Sequence, residues 1–453
     1  MKVSSSANPS PTTGPLSFQQ ERCWKVLDAA YDVIPPLAFR IKGALNEKHL
    51  ATALRALTRR QGVLRTTFDD VGGAVIQTVS PEAEVDFEVV DLSHLDKSEW
   101  DYECARLIRL EANRPFLLNH APLMRVRLVR LRDDEHTLFF IVHHIIGDLW
   151  SMKILWRELA HLWTAAAETD NPDLDPLPMQ YIDFASWQRK WFAGNVLQTH
   201  LAYLQKWARN VPDSTLPNVQ LQEDKTRRGD VVCIELSAEV TEKVRQISRE
   251  LRVTVFMMLL ASFHIFLRRY TGADRFLVAA MVANRSSTEV ESLIGVFATS
   301  LAMRMELPSK ATLHDVAVHT REALLDAYAN QYMPLWQLSQ MTGQDLDPVR
   351  LRPRISFTLQ SAPLKSHEIP GMTITEFAST GAAIFDGESG AVAPFDQSWE
   401  VWEMGPKFRV AVVYRRCFKR PAVEEMLKSF VDVLESIVMS LAKSPVGTDS
   451  TYV

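Results

Sequence analysis

His136-Thr137-Leu138-Phe139-Phe140-Ile141-Val142 runs directly into His143-His144-Ile145-Ile146-Gly147-Asp148-Leu149-Trp150-Ser151. The first seven residues are rich in β-branched and aromatic side chains and read as a buried strand. The histidines sit where that strand stops, and a carboxylate follows four residues after the second of them. A neutral imidazole can take a proton from an attacking amine or hydroxyl and return it to a leaving group, because its reference pKa of about 6.5 lies near working pH. The pair therefore supplies a candidate base, and Asp148 either orients the ring or locks the loop. The same letters also fit packed or surface histidines beside a turn, so the rest of the chain decides.

Working outward, Leu123–Leu131 alternates Leu and Val with Arg before the central strand, Pro81–Asp91 alternates toward a strand, and Trp100–Arg114 has a helical pattern. Leu50, Ala53, Leu54 and Leu57 recur at helical spacing, which predicts a helix over Leu50–Leu64 that covers a sheet. Trp150–Ala167 is a further helix, broken by the polar run 168–176. A lobe boundary is placed there. Beyond it the pattern predicts helices over Gln198–Arg209 and Ser237–Glu250, with a strand over Val231–Leu236. Interleaved strands and helices make the class α+β. The expected organisation is a flexible tail over 1–15, a lobe over 16–175 carrying the histidines, a second lobe with bridging segments over 176–445, and a tail over 446–453.

At 453 residues the chain exceeds one ordinary core, and a hydrophobic fraction of 47% with 11 Trp and 21 Phe supports two large ones. Lys and Arg number 50 against 55 Asp and Glu, a net charge of −5. That balance supplies no basic field for nucleic acid or an anionic membrane. Cys23, Cys104, Cys233 and Cys417 lie far apart, without the close spacing of a zinc site or a disulfide framework, which suits a reducing cytoplasm. The N-terminal residues lack the apolar core of a secretory signal. The longest apolar run, Val255–Leu267, is too short to span a bilayer and reads as a buried helix.

Several stretches, in order along the chain, resemble the core motifs of condensation domains from nonribosomal peptide synthetases. Ser17-Phe18-Gln19-Gln20-Glu21-Arg22-Cys23-Trp24 is similar to S-x-x-Q-x-R-x-W. Arg59–Phe68 is similar to R-H-x-x-L-R-T-x-F, with Gln61 or Arg60 near the place of the usual His. His143–Asp148 matches HHxxxD, and Tyr181–Trp187 looks like Y-x-D-[FY]-A-x-W. Ile294–Arg304 resembles I-G-x-F-V-N-T-x-x-x-R with Ala298, Thr299 and Ser300 substituted. Asn330–Leu335 and Pro353–Gln360 match the last two motifs more faintly. The resemblance spans roughly Pro15–Lys443, one condensation domain, either free-standing or cut from a longer synthetase.

It implies two chloramphenicol-acetyltransferase-like lobes forming a V-shaped pseudo-dimer, with the HHxxxD loop at the floor of the cleft between them. Two phosphopantetheine arms would reach that loop from opposite sides. His144 would face the tunnel as base or as a holder of the nucleophile and the tetrahedral intermediate. His143 would be structural, pointed away by strand alternation. Asp148 would pair with Arg285, which follows a β-like run over Arg275–Val282. Gly147 is expected to adopt backbone angles that a Cβ would resist. Leu149 departs from the glycine usual after the Asp, so Trp150 either re-lines the donor side or packs. Tyr181, Asp183 and Trp187 read as structural. Glu289–Arg304 would bridge the lobes, with Ser151, Gly295, Thr299 and Ser300 lining the tunnel.

The resemblance also implies acyl transfer from an acyl-loaded carrier protein to an amine, or by the same steps to a hydroxyl, on a second carrier protein or a soluble small molecule. Phosphopantetheine would come with the carrier, and the chain would need no cofactor of its own. No metal is expected, since neither thioester nor amine requires Lewis-acid activation. Two alternatives compete: an acyl-CoA-dependent HxxxD acyltransferase, opposed by the motifs at Ser17–Trp24 and Tyr181–Trp187, and a non-catalytic recruitment module, opposed by the intact His144 and Asp148. Epimerisation and heterocyclisation relatives carry other signatures.

Overall fold

The computed structural model describes residues 10–26, 32–82, 84–208, 229–307, 311–331, 353–360, 369–377 and 395–441. The strands are β1 (Thr12–Pro15), β2 (Leu37–Gly43), β3 (Thr66–Val71), β4 (Ala74–Val79), β5 (Asp86–Asp91), β6 (Met124–Arg132), β7 (Glu135–Val142), β8 (Gly229–Glu235), β9 (Arg275–Val282), β10 (Thr299–Glu306), β11 (Ile355–Gln360), β12 (Met372–Glu376), β13 (Gln397–Met404) and β14 (Lys407–Arg415). The helices are α1 (Phe18–Val26), α2 (Glu47–Arg60), α3 (Trp100–Asn113), α4 (Leu149–Ala165), α5 (Tyr181–Trp191), α6 (Gly194–Ala208), α7 (Ala238–Glu250), α8 (Val255–Thr271), α9 (Thr288–Glu291), α10 (Leu313–Ala329) and α11 (Arg420–Leu441).

Two separate sheets organise two cores. The first has the order β12-β2-β7-β6-β5, antiparallel except for β5 beside β6. Its strand β7 is buried along almost its whole length, as a strand lying between two neighbours and covered on both faces must be. The second has the order β10-β9-β11-β13-β14-β8, with β11 parallel to both neighbours. A smaller sheet, β1-β4-β3, completes the first lobe. Helices α7, α8, α10 and α11 pack on the second sheet and on one another, enclosing Phe263, Phe266, Phe357, Trp399 and Phe430. Helix α8 contains the expected apolar run. It starts at a Thr254 cap and stops at Gly272, whose φ of 73° suits a residue without Cβ. Among the described residues, no single helix is long and apolar enough to cross a membrane.

The alternation Arg125, Arg127 in β6 does not face solvent. Both are buried, Arg125 against the carbonyls of Glu111, Arg114 and Pro115, and Arg127 against Asp86 and Glu111. Thr12–Pro15, expected within a flexible tail, is instead strand β1, paired with Ile76–Val79. The expected tail over 446–453 lies outside the described residues, as do Met333-Pro334-Leu335 of the faint motif.

The lobes exchange chain segments. Strand β12 follows β11 of the second sheet in sequence yet pairs with β2 at the edge of the first. Val290, Leu293, Ile294, Val296 and Phe297, between β9 and β10 of the second sheet, are buried in the first core. Tyr181 and Phe184 of α5, beyond residue 175, also belong to the first core.

Candidate active site

At the end of β7 the residues Asp32–Ile34 run alongside Val142–His144. Ile34 donates its N–H to the Val142 carbonyl at 2.9 Å, and His144 donates to the Asp32 carbonyl at 2.7 Å. His143 is fully buried, meets Phe116 edge-on, and accepts the Ile145 N–H on Nδ1 at 3.1 Å. His144 is half-buried, with Nδ1 2.9 Å from the Gly147 carbonyl oxygen. A carbonyl only accepts, so in the neutral ring Nδ1 carries the proton and Nε2 keeps its lone pair. The two adjacent histidines thus have different environments: one caps a turn inside the core, and the other has an Nε2 with no hydrogen-bond partner among the described residues.

Asp148 caps α4 and is almost wholly buried. Its Oδ1 accepts from the Ser151 N–H at 2.8 Å and from Arg285 Nη2 at 3.4 Å. Its Oδ2 accepts the Phe297 and Ala298 N–H groups at 2.9 and 3.1 Å. The side chains of Asp148 and Arg285 are only 3% and 2% exposed, so the pair expected from resemblance exists as a buried one. Arg285 follows Asn284, whose φ of 51° turns the chain. Its guanidinium also donates to the carbonyls of Val290 and Leu293 and lies 4.2 Å over the Phe297 ring.

The segment 292–298 has no strand partner among the described residues, and its polar backbone groups are met by side chains. Gln61 donates to the Ser292 carbonyl at 3.1 Å and accepts the Ile294 N–H at 3.1 Å. Ser151 Oγ accepts the Gly295 N–H at 3.1 Å and lies 2.7 Å from the Gly295 carbonyl. Tyr181 donates to the Val296 carbonyl at 2.7 Å, and Asn284 to the Phe297 carbonyl at 3.2 Å. A buried irregular segment must satisfy its N–H and C=O groups in some such way. Gln61, which like Arg60 lies near the place of the motif's usual histidine, is part of that lock; it also donates to Glu158 at 2.9 Å.

Several expected positions are corrected. Gly147 has φ −171° and ψ 175°, extended backbone open to any residue, so torsion does not require glycine there. A Cβ would meet Ile34 Cδ1 at 3.2 Å, a tight but adjustable approach. Gly295 is the constrained glycine: a Cβ would lie 2.0 Å from the Tyr181 ring. Ser151 and Gly295 are buried within the Asp148–Arg285 lock, and Thr299 is buried on the core side of β10, so none of the three is open to solvent. Ser300, with partial exposure, shares the opposite face with Ala302. Trp150 is 41% exposed, not packed in the core, and lies 6.0 Å from the Arg285 guanidinium carbon.

The sequence places no cysteines at the close spacing of a metal site. The fold assembles a metal-ligand cluster: the Cys23 sulfur, a carboxylate oxygen of Asp32 and a ring nitrogen of His144 lie within 4.8 Å of one another. Burial is the main influence on Asp32 and raises its pKa, against the pull of His144 and Arg22. Burial, with help from Asp32, also holds the Cys23 thiol well above its usual range. No local signal in the sequence links positions 23, 32 and 144.

Two mixed lobes with exchanged segments, and a histidine loop tied to the crossing segment, define the chloramphenicol-acetyltransferase-like two-lobe fold. The chain belongs to the condensation domains, whose family profile matches residues 11–448. It is 32% identical over 454 residues to a linear gramicidin synthase of Brevibacillus parabrevis, a match covering 94% of this chain and 6% of that protein. The SgcC5 protein of Streptomyces globisporus has a similar structure, with TM-score 0.78, 22% identity and coverage of 94% of this chain and 98% of that one. The X-domain from teicoplanin biosynthesis, solved in complex with OxyB, gives TM-score 0.78 at 19% identity, with 98% of each chain covered. Condensation domains work with carrier proteins that bear phosphopantetheine.

Proposed function

We propose that this chain transfers an acyl group from a phosphopantetheine thioester on a donor carrier protein to an amine acceptor, forming an amide, with His144 as the base. The observation that carries the reading is the Nδ1 contact to the Gly147 carbonyl, which leaves Nε2 as an acceptor in a partly buried residue. The amine nitrogen attacks the thioester carbonyl while Nε2 takes an N–H proton. Collapse of the tetrahedral intermediate breaks the C–S bond, and the same proton goes to the departing thiolate. A hydroxyl acceptor follows the same steps to an ester. His143 and the Asp148–Arg285 pair act by holding the loop and the crossing segment in place. The acceptor arrives on a second carrier protein or as a soluble small molecule.

The test loads a donor on a carrier protein and follows condensation with amine and alcohol acceptors by mass spectrometry, comparing the native chain with His144→Ala. Product from the native chain and a loss of about 10²–10⁴-fold in the variant are expected for removal of a general base. Equal product from both removes His144 from that role. Turnover with free acyl-CoA alone favours the CoA-dependent alternative. Carrier binding without product favours recruitment, a reading that the likeness to the X-domain found with OxyB keeps in view.

A further inference from the structure

The cluster beside His144 has an unmet need. Asp32 is 7% exposed, and its Oδ2 is buried without a hydrogen-bond partner among the described residues. An unpartnered buried carboxylate oxygen is costly and marks a place where a cation would be stabilised. Cys23, buried on α1, supplies a soft sulfur, and His144 supplies a ring nitrogen, Nε2 being the one that the Gly147 carbonyl does not engage. Thiolate, imidazole and carboxylate are together the donor set that binds zinc. Their separation, within 4.8 Å, lets bonds of about 2.0–2.3 Å form with small side-chain shifts. Cys23 and Asp32 are closed to solvent while His144 is half-open, so an ion would enter past the imidazole and keep one coordination position outward.

We propose that Cys23, Asp32 and His144 form a site for Zn2+ or a similar thiophilic divalent cation, and that its occupancy takes the His144 lone pair and shuts the reaction centre. Binding displaces the Cys23 proton to solvent and forms metal–sulfur, metal–nitrogen and metal–oxygen bonds, with no change of oxidation state. The shutting of the centre rests on the base role proposed above; the metal site does not.

The experiment titrates the full chain with ZnCl2 by calorimetry and with Co2+ by absorption, the sulfur-to-cobalt charge-transfer band reporting Cys23 directly. One ion per chain is expected, with the band lost in Cys23→Ser and affinity reduced at least about tenfold in Asp32→Asn, since even outer contacts of metal ligands bring 10–100-fold. Should the serine variant not fold, the band in the native chain and its change in Asp32→Asn carry the test. Absence of binding, or binding unchanged in both variants because it occurs at Cys233 or another thiol, overturns the site. In the condensation assay, Zn2+ should stop turnover and a chelator restore it. Binding at the trio with full turnover would keep the site and overturn the shutting of the centre.

Discussion

Asp148 is the position where a structural role and a chemical role make different predictions. Replacing it with alanine removes the acceptor for the Phe297 and Ala298 N–H groups, for Ser151, and for Arg285, whose side chain is 2% exposed. Breaking a buried pair from one side costs about 3–5 kcal/mol, because the remaining charge stays buried. Two things set where in that range the cost falls. Arg285 keeps the Val290 and Leu293 carbonyls, which softens the loss. The two amides of the crossing segment have no other acceptor among the described residues, and each unsatisfied buried group costs about 1–3 kcal/mol. These effects share atoms and do not add, so the single-pair range stands.

Asparagine at 148 is isosteric but gives no relief. Its NH2 would face the Ser151 N–H and Arg285 on one side or the Phe297 and Ala298 N–H groups on the other, donor against donor in either flip. Asp148→Asn should therefore fall near Asp148→Ala, and for a lobe of this size roughly 3–5 kcal/mol lowers Tm by about 10 °C. Scanning fluorimetry checks the global loss, and hydrogen exchange by mass spectrometry checks whether peptides covering 292–298 open first. The double variant Asp148→Ala with Arg285→Met should recover only part of the loss, since the Phe297 and Ala298 amides stay unpaired. A variant at 148 with native Tm, native exchange over 292–298 and abolished turnover would refute the clamp and place the carboxylate in the chemistry.

Gly295→Ala should be severe, about 3 kcal/mol or more, because its Cβ overlaps the Tyr181 ring, whereas Gly147→Ala should cost less than about 1.5 kcal/mol; paired melting curves decide, and equal costs would refute the distinction. Gln61→Ala strands the Ile294 N–H and Ser292 carbonyl at about 1–3 kcal/mol each, with faster exchange confined to 292–294 as its signature. Glu400 has its carboxyl pushed up to about 7 by burial, against a Trp402 indole N–H that stabilises the charge. The folded chain thus prefers the acid form, and stability present below pH 4.5 is lost as pH rises through 7, by at most about 3 kcal/mol. Glu400→Gln should raise Tm at pH 8 and change it little near pH 4.5; the reverse order would contradict that environment.

The local parts of this site were legible because they depend on neighbours in sequence. An apolar run ending at His143 reads as a strand end, and β7 ends there. The helix after Asp148 follows from its apolar spacing, and Asp148 caps it. Pairing of Asp148 with Arg285, 137 positions apart, came only through resemblance, since nothing in either segment's periodicity points to the other. Ser151 shows the limit. Letters place it one turn after Asp148, but only the fold decides whether that turn faces a passage or the crossing segment, and it faces Gly295.

What stayed hidden shares a physical cause. A strand or helix satisfies its backbone within a repeating pattern, so its sequence carries a period that can be recognised. The segment 292–298 has no such period; its N–H and C=O groups are met one at a time by Gln61, Asp148, Ser151, Tyr181, Asn284 and Arg285, drawn from separated stretches of the chain. Each of these contacts is a single hydrogen bond from one side chain, such as Gln61 to the Ser292 carbonyl, and none follows from a repeat in the sequence. Strand β12 likewise alternates as any edge strand does and names no sheet until Ile374 meets Ile41. A lobe junction built this way should therefore tolerate changes that keep one hydrogen bond in place and fail at those that orphan a single amide, which is the contrast that Gln61→His against Gln61→Ala would measure. A histidine that melts as low as the alanine would show that the glutamine's two-ended contact, not the residue's reach, holds the crossing.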